Sequence, residues 1–384
     1  MKHLTIASVL TLLSSACAPV DGVDEPAAET TETVASEIVG GESDHPQAPG
    51  YVRLRVSGFI CTATVVRPDW LLTTRCIGAT TQPSSVRIDM GGLQTPGVEI
   101  VRHPTEPIAL VRLASTVPFT PRTIGSLTAA TLPGTELRCH GNTSTNGLSL
   151  AGNFIAQSST GSLHVVRDAR RLPNAIYVGD GDVGGPCEVA SGPVNGPVVA
   201  LLAEPKPTCV SAASCAIDGR VIRVDGVRLW VDDMVRLSRL RGGPRFSLHN
   251  LGNNQCWDIP NGSMDEGAAV NQYTCHFNEN QDFFTDTVPG VSTHVLLVNA
   301  RSGKCVEVTA GTSGNRARLR QATCTGGNHQ LWQAVPSGNS LMFRPRSEPS
   351  RCVDIPDGTW APPGTQLQIS TCHGGANQLW FQAR

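Results

Sequence analysis

The last third of the chain repeats itself three times, and that repeat constrains the fold more tightly than any other feature of the 384 residues. Each unit opens on a cysteine, carries a second one further along and closes on Gln-x-aromatic. The pairs are Cys256/Cys275, Cys305/Cys324 and Cys352/Cys372, separated by 19, 19 and 20 residues. The closing boxes are Gln281-Asp282-Phe283, Gln330-Leu331-Trp332 and Gln378-Leu379-Trp380. The openings echo one another as well: Cys256-Trp257-Asp258-Ile259, Cys305-Val306-Glu307-Val308 and Cys352-Val353-Asp354-Ile355. A unit of this size cannot bury its own apolar face, so the three are expected to pack against one another.

A threefold repeat of this length can close into a β-trefoil with the three Gln-x-aromatic rings in a shared core. The pattern resembles the ricin B-type lectins, and the resemblance covers residues 244–384. It implies glycan binding in shallow pockets. A sugar offers hydroxyls as paired donors and acceptors plus one apolar ring face. Its pocket therefore needs a carboxylate, an amide and an aromatic side chain. In the first unit Asp258, Asn271, Tyr273, Asn280 and Gln281 fall at the family's ligand positions. The third keeps Asp354, Gln368, Asn377 and Gln378 but has Ser370 where the aromatic belongs. The second has Glu307, Arg320, Ala322 and His329 there, so it lacks both the aromatic and the asparagine. The first unit is the expected sugar site, the third a secondary candidate, and the second is expected to bind nothing. Trp257 is expected in the core.

Ahead of the repeat, residues 38–241 carry a second set of motifs. Gly181-Asp182-Val183-Gly184-Gly185-Pro186, Cys61-Thr62-Ala63 followed by Trp70-Leu71-Leu72-Thr73-Thr74-Arg75-Cys76, and His103-Pro104 before Ile108-Ala109-Leu110-Val111 resemble the trypsin-like serine proteases. Ile38-Val39-Gly40-Gly41 is similar to that family's mature N-terminus, although Glu37 precedes it where an activator would need Arg or Lys. The resemblance places the catalytic triad at Arg75, Pro107 and Val183, and none of these side chains can do its job. Arginine stays protonated and is no general base, proline has no carboxylate, and valine has no hydroxyl to form an acyl-enzyme. The Gly181 and Val183 amides match an oxyanion hole, and Tyr177 falls where trypsin has its specificity aspartate. His103 matches a position without a catalytic role. The resemblance also implies disulfides Cys61–Cys76 and Cys139–Cys187, while Cys209 and Cys215 could close a short loop. Val227, Trp230, Val231, Met234 and Val235 have helical spacing. The fold expected for the whole chain is thus all-β, a chymotrypsin-like double β-barrel followed by a β-trefoil, with Arg241-Gly242-Gly243-Pro244 as a hinge.

The first residues, 1–17, read as a secretory signal: Met1-Lys2-His3, an apolar run from Leu4 to Leu13, then Ser14-Ser15-Ala16 and Cys17. Lipidation of Cys17 and ordinary signal-peptidase cleavage nearby are both open. Of 13 cysteines, removing Cys17 leaves an even set, which fits a disulfide-bonded protein outside the cytoplasm or on the cell envelope. Residues 18–37 are acidic and rich in Ala, Thr and Glu, a disordered linker or pro-segment. The 39 glycines and 27 prolines between short apolar runs fit a turn-rich all-β chain. A net charge of −2 gives no basic surface for nucleic acid. No metal-ligand cluster stands out and no cofactor is expected. The expected function is carbohydrate binding by a secreted or surface-anchored protein. Its inactive protease-like barrel serves as spacer, decoy or protein-docking surface. Two competing classes are a serine endopeptidase targeted by its lectin and a structural surface protein whose trefoil binds nothing.

Overall fold

The computed structural model describes residues 42–43, 50–74, 76–90, 92–127, 133–142, 149–160, 163–168, 182–193, 196–204, 207–209, 215–217, 219–309 and 314–383. Signal peptide, Cys17, Ile38, Arg75, Tyr177 and Gly181 lie outside them. Six strands, Tyr51–Val56, Phe59–Arg67, Trp70–Thr73, Ala109–Leu113, Leu93–Arg102 and Val86–Met90, close into an antiparallel barrel. Period-2 alternation explains its core: Val52, Leu54 and Val56 are buried while Arg53 and Arg55 are half-exposed. Cys61 and Cys76 form a disulfide in this barrel.

A second ring follows. Strand Ser149–Thr160 pairs with both Leu163–Asp168 and Glu136–Asn142, and the circuit runs on through Gly219–Arg223, Ala200–Glu204 and Pro186–Val189. Cys187 sits directly across from Cys139, and the two are bonded. Cys209 and Cys215 are opposite each other in the short ladder Pro207–Cys209 with Cys215–Ile217. The 182–185 loop is pinned between the barrels: Thr62 N–H donates to Val183 O at 2.9 Å and Gly184 N–H to Leu202 O at 2.7 Å. Gly184 has φ +91°, and a Cβ there would lie 2.0 Å from Thr62 O. A Cβ on Gly185 would lie 2.0 Å from His140 O. Only glycine fits at either position.

The expected helix is Arg228–Leu240, burying Trp230, Val231, Met234 and Leu237. Trp230 also meets the His103 ring edge-on, at 4.8 Å between centroids, so His103 is a packing residue. The other side of this helix faces the C-terminal part of the chain. One continuous apolar cluster takes in Trp70 and Leu110 from the first barrel, Trp230, Met234 and Leu237 from the helix, and Phe284, Leu296, Val298 and Leu331 beyond it. Shared packing thus joins the parts on either side of residues 241–244.

A buried ion pair crosses the same junction. Lys304 Nζ donates to Asp233 Oδ2 at 2.7 Å and lies 2.9 Å from Glu266 Oε2. Burial pushes Asp233 up to about 6 against the pull of Lys304. Burial alone would lower Lys304, but the two carboxylates outweigh it and hold the ammonium above its ordinary value. No sequence motif announced this pair.

From Phe246 onward the three units assemble as expected. Phe283, Trp332 and Trp380 of the closing boxes are fully buried in one core with Leu248, Val306 and Val353. Trp257 joins them, edge-on to Phe343 and Trp380 at 5.6 and 5.5 Å between centroids. The disulfides are Cys256–Cys275, Cys305–Cys324 and Cys352–Cys372.

Candidate functional site

Each trefoil unit builds its pocket in the same way, from a two-strand ladder and a one-turn 3-10 segment or tight turn. In the first, strand Cys256–Asp258 pairs with Asn271–Tyr273, and Asp258 lies directly opposite Asn271. Alternation sends Gln272 into the interior and leaves Asn271 and Tyr273 on the outer face. The 3-10 turn Glu279–Gln281 then brings Asn280 and Gln281 up to the carboxylate. Asn280 Nδ2 donates to Asp258 Oδ1 at 2.9 Å and Gln281 Nε2 donates to the same oxygen at 3.0 Å. His276 Nε2 is 3.3 Å from it.

Asp258 Oδ2 takes no hydrogen bond from the described residues. Asn271 Oδ1 is buried and likewise without a partner among them. Both residues border a cleft of about 630 Å³ that Tyr273, Asn261, His276 and Arg301 also line. Tyr273 is 44 % exposed, so its ring is available as a wall. Burial raises the Asp258 carboxyl above its ordinary range, opposed by the donors Gln281, His276 and Asn280. The cleft thus offers an oriented carboxylate with one open oxygen and an aromatic ring.

The other two carboxylates are closed. In the second unit Glu307 faces Arg320 across the ladder. Arg320 Nε donates to Glu307 Oε1 at 2.8 Å, while Gln330 Nε2 donates to Oε2 at 2.8 Å. His329 Nε2 adds a contact at 3.2 Å. In the third, Gln368 lies across from Asp354 and donates to Oδ1 at 2.9 Å. Asn377 and Gln378 donate to Oδ2 at 2.7 and 2.9 Å. The difference from the first unit is one of side-chain length: Gln368 and Arg320 reach the carboxylate across the ladder and Asn271 does not.

These contacts bear on the sequence reading at two points. In the third unit, expected as a secondary site through Asp354, Gln368, Asn377 and Gln378, these residues hydrogen-bond one another, so each carboxylate oxygen already carries a protein donor. Gln281 and Gln378 were expected to touch sugar, yet both are fully buried. The Gln281 amide donates to Asp258 and Thr274 O and accepts from the His276 and Phe277 N–H groups, so its capacity is filled. Gln378 is held in the same way. Both are positioning residues. Sequence reasoning missed His276, although His276 and His373 share the position just after the second cysteine of their units.

In the protease-like part, Pro107 and Val183 are described, and neither side chain carries a group for proton transfer or attack. Arg75 and Gly181 fall outside the described residues. The grouping of His249 with Cys256 and Cys275 has the spacing of a metal site, but the two sulfurs are bonded to each other.

The fold and the cleft define the class: an all-β protein with two antiparallel barrels followed by a trefoil whose first unit presents an open polar site. Residues 244–380 match the family model described as the ricin-type β-trefoil lectin domain. Among solved structures, a scabies mite inactivated protease paralogue, S-D1, is 17 % identical, with a TM-score of 0.42, covering 52 % of this chain and 97 % of its own. The designed threefold-symmetric protein ThreeFoil is 25 % identical at a TM-score of 0.34, over 36 % of this chain and 98 % of its own. The earthworm R-type lectin C-half, solved with GalNAc, is 16 % identical at a TM-score of 0.30, over 36 % and 98 %. No curated protein matches the chain.

Proposed function

We propose that this chain is a carbohydrate-binding protein with its working site in the first trefoil unit, and that its trypsin-like barrels hydrolyse no peptides. The free Oδ2 of Asp258 carries the reading. Among the described residues the equivalent carboxylates, Glu307 and Asp354, have both oxygens occupied by protein donors. Asp258 accepts hydroxyl protons on its open oxygen, and Tyr273, beside Asn271 on the outer face, covers the ring. Asn280, Gln281 and His276 hold the carboxylate in place from behind.

A site this shallow and wet binds one sugar weakly. Attachment through Cys17 would place many copies on one surface and raise avidity without new contacts. The disulfides support a setting outside the cytoplasm. Inactivity of the barrels rests on Arg75, Pro107 and Val183, since loss of triad members removes nearly all turnover.

The test is a glycan array with the full chain and with Asp258→Ala. Binding by the parent that vanishes in the variant supports the site. Binding that survives in Asp258→Ala moves the site elsewhere, and silence from both proteins removes the lectin reading.

A further inference from the structure

Trp360 is 95 % exposed, whereas the other five tryptophans, Trp70, Trp230, Trp257, Trp332 and Trp380, are all at 8 % or less. Its exposed indole keeps a large apolar face with a polar edge available to a ligand. The residue belongs to the third unit by sequence but to the first by attachment. Asn253 Nδ2 donates to Thr359 O at 3.3 Å, and Gln272 Nε2 donates to Ala361 O and Pro362 O at 2.8 and 3.1 Å. Asn253 and Gln272 are themselves joined at 2.7 Å. Gly364 N–H donates to Gln272 O at 2.7 Å. Thr359 and Ala361 are thus tied down on both sides of an indole that touches little, while Ala361 itself is in the core.

The same loop forms part of the sugar cleft. Gly364 lines it, and the strand that holds the loop, Asn271–Tyr273, supplies Asn271 and Tyr273. Four residues of chain separate Trp360 from Gly364, a span of at most ~14 Å. We infer that Trp360 is an outer subsite of the first-unit cleft, a rigid platform for the apolar face of a second or third ring of a linear oligosaccharide whose end ring sits at Asp258. The inference rests on the carbohydrate reading of that cleft. It makes the ligand class a glycan chain of at least two rings rather than a lone monosaccharide. The tied backbone carries an exposed aromatic within reach of the cleft, so stacking there orders only the Trp360 side chain.

The exposure of Trp360 also supplies the assay. With the other tryptophans buried, acrylamide quenching of the full chain reports chiefly on this ring. Galactose and xylose are compared with β1,4-galactotriose and xylotriose, using the parent chain, Trp360→Ala, Trp360→Phe and Asp258→Ala. A trisaccharide that binds should protect Trp360 from quencher while its monosaccharide does not. Trp360→Ala should weaken that trisaccharide about tenfold and leave the monosaccharide unchanged, and Trp360→Phe should restore part of the difference. Asp258→Ala should abolish both. Equal trisaccharide affinity in the parent and Trp360→Ala, with Asp258→Ala inactive, overturns the subsite and leaves the cleft standing. Binding of neither series by the parent overturns both. Protection of Trp360 on concentrating the sugar-free chain assigns the ring to contact between copies and overturns the subsite. Substitution at so exposed a position is not expected to disturb folding.

Discussion

Replacing Asn271 by glutamine should close the first-unit cleft by the same device that closes the third. Asn271 and Gln368 occupy equivalent ladder positions, each directly opposite its unit's aspartate. Gln368 reaches Asp354 at 2.9 Å and completes the occupation of that carboxylate. A glutamine at 271 has the same reach, and the one oxygen of Asp258 left to receive it is Oδ2. A sugar hydroxyl would then have to displace an amide from a charged acceptor, a bond worth about 1.5–3 kcal/mol net. At about 1.4 kcal/mol per decade this amounts to a loss of affinity of about 10- to 150-fold. Titration calorimetry of the full chain with the best glycan from the array measures it, with circular dichroism confirming that the variant is folded. A folded Asn271→Gln chain that binds within twofold of the parent would refute the open-oxygen argument, because it would show that Oδ2 is not where the sugar attaches.

Glycan binding should also weaken on acidification. Burial raises Asp258, so it protonates above the ordinary aspartate value of 3.8, and a protonated carboxyl accepts one hydroxyl fewer. Affinity measured from pH 7 downward should begin to fall before an exposed aspartate would titrate. A His276→Gln chain should keep that fall, because the lost acceptor is on Asp258. At the junction, Lys304→Met leaves the buried Asp233 carboxylate beside Glu266 with Arg236, 3.6 Å from its Oδ1, as the remaining cation, and should destabilise the protein by about 3 kcal/mol at pH 8. The sign of the pH effect follows from the raised Asp233 value of about 6. Protonation favours the folded state, so the Asp233 contribution is fully present below 3.8 and lost as pH rises through 6. The cost of Lys304→Met, read from denaturant midpoints, should therefore shrink toward pH 5, and an equal cost at both pH values would contradict the buried-charge account.

Much of this architecture was legible in the chain because repeats and periodicities report packing. Three Gln-x-aromatic boxes at matched spacing can bury their rings only around one core, and Phe283, Trp332 and Trp380 do so. The apolar spacing of Trp230, Val231 and Met234 gave the helix. The hydrogen bonding of the third-unit pocket was not legible, because asparagine and glutamine carry the same amide and a sequence does not show which chain length reaches a carboxylate oxygen. Gln281 misled for a related reason: its amide suits a sugar, yet two backbone N–H groups and a backbone carbonyl reach it first. Asp233 and Lys304 lie too far apart in sequence for any local pattern to join them, and each alone reads as an ordinary surface charge. Trp360 carried no signal, since exposure depends on the packing of Thr359 and Ala361 around it.

The segment Asp182-Val183-Gly184-Gly185-Pro186, which resembles a protease signature in sequence, has a packing role that is independent of catalysis. Gly184 and Gly185 are fixed by sterics, with Thr62 O and His140 O within 2.0 Å of any added Cβ. Val183 contributes its carbonyl to Thr62 N–H whatever its side chain. The loop is therefore required for the two barrels to pack, and the residue between the aspartate and the glycines can change without disturbing that requirement. The barrels in turn pack on the trefoil through Trp230, Met234, Leu237, Phe284 and Leu331. Through that shared core the barrels cover an apolar face of the trefoil that would otherwise meet water. Such a packing role needs no catalytic group, because burial depends on the glycines and the core and not on a hydroxyl.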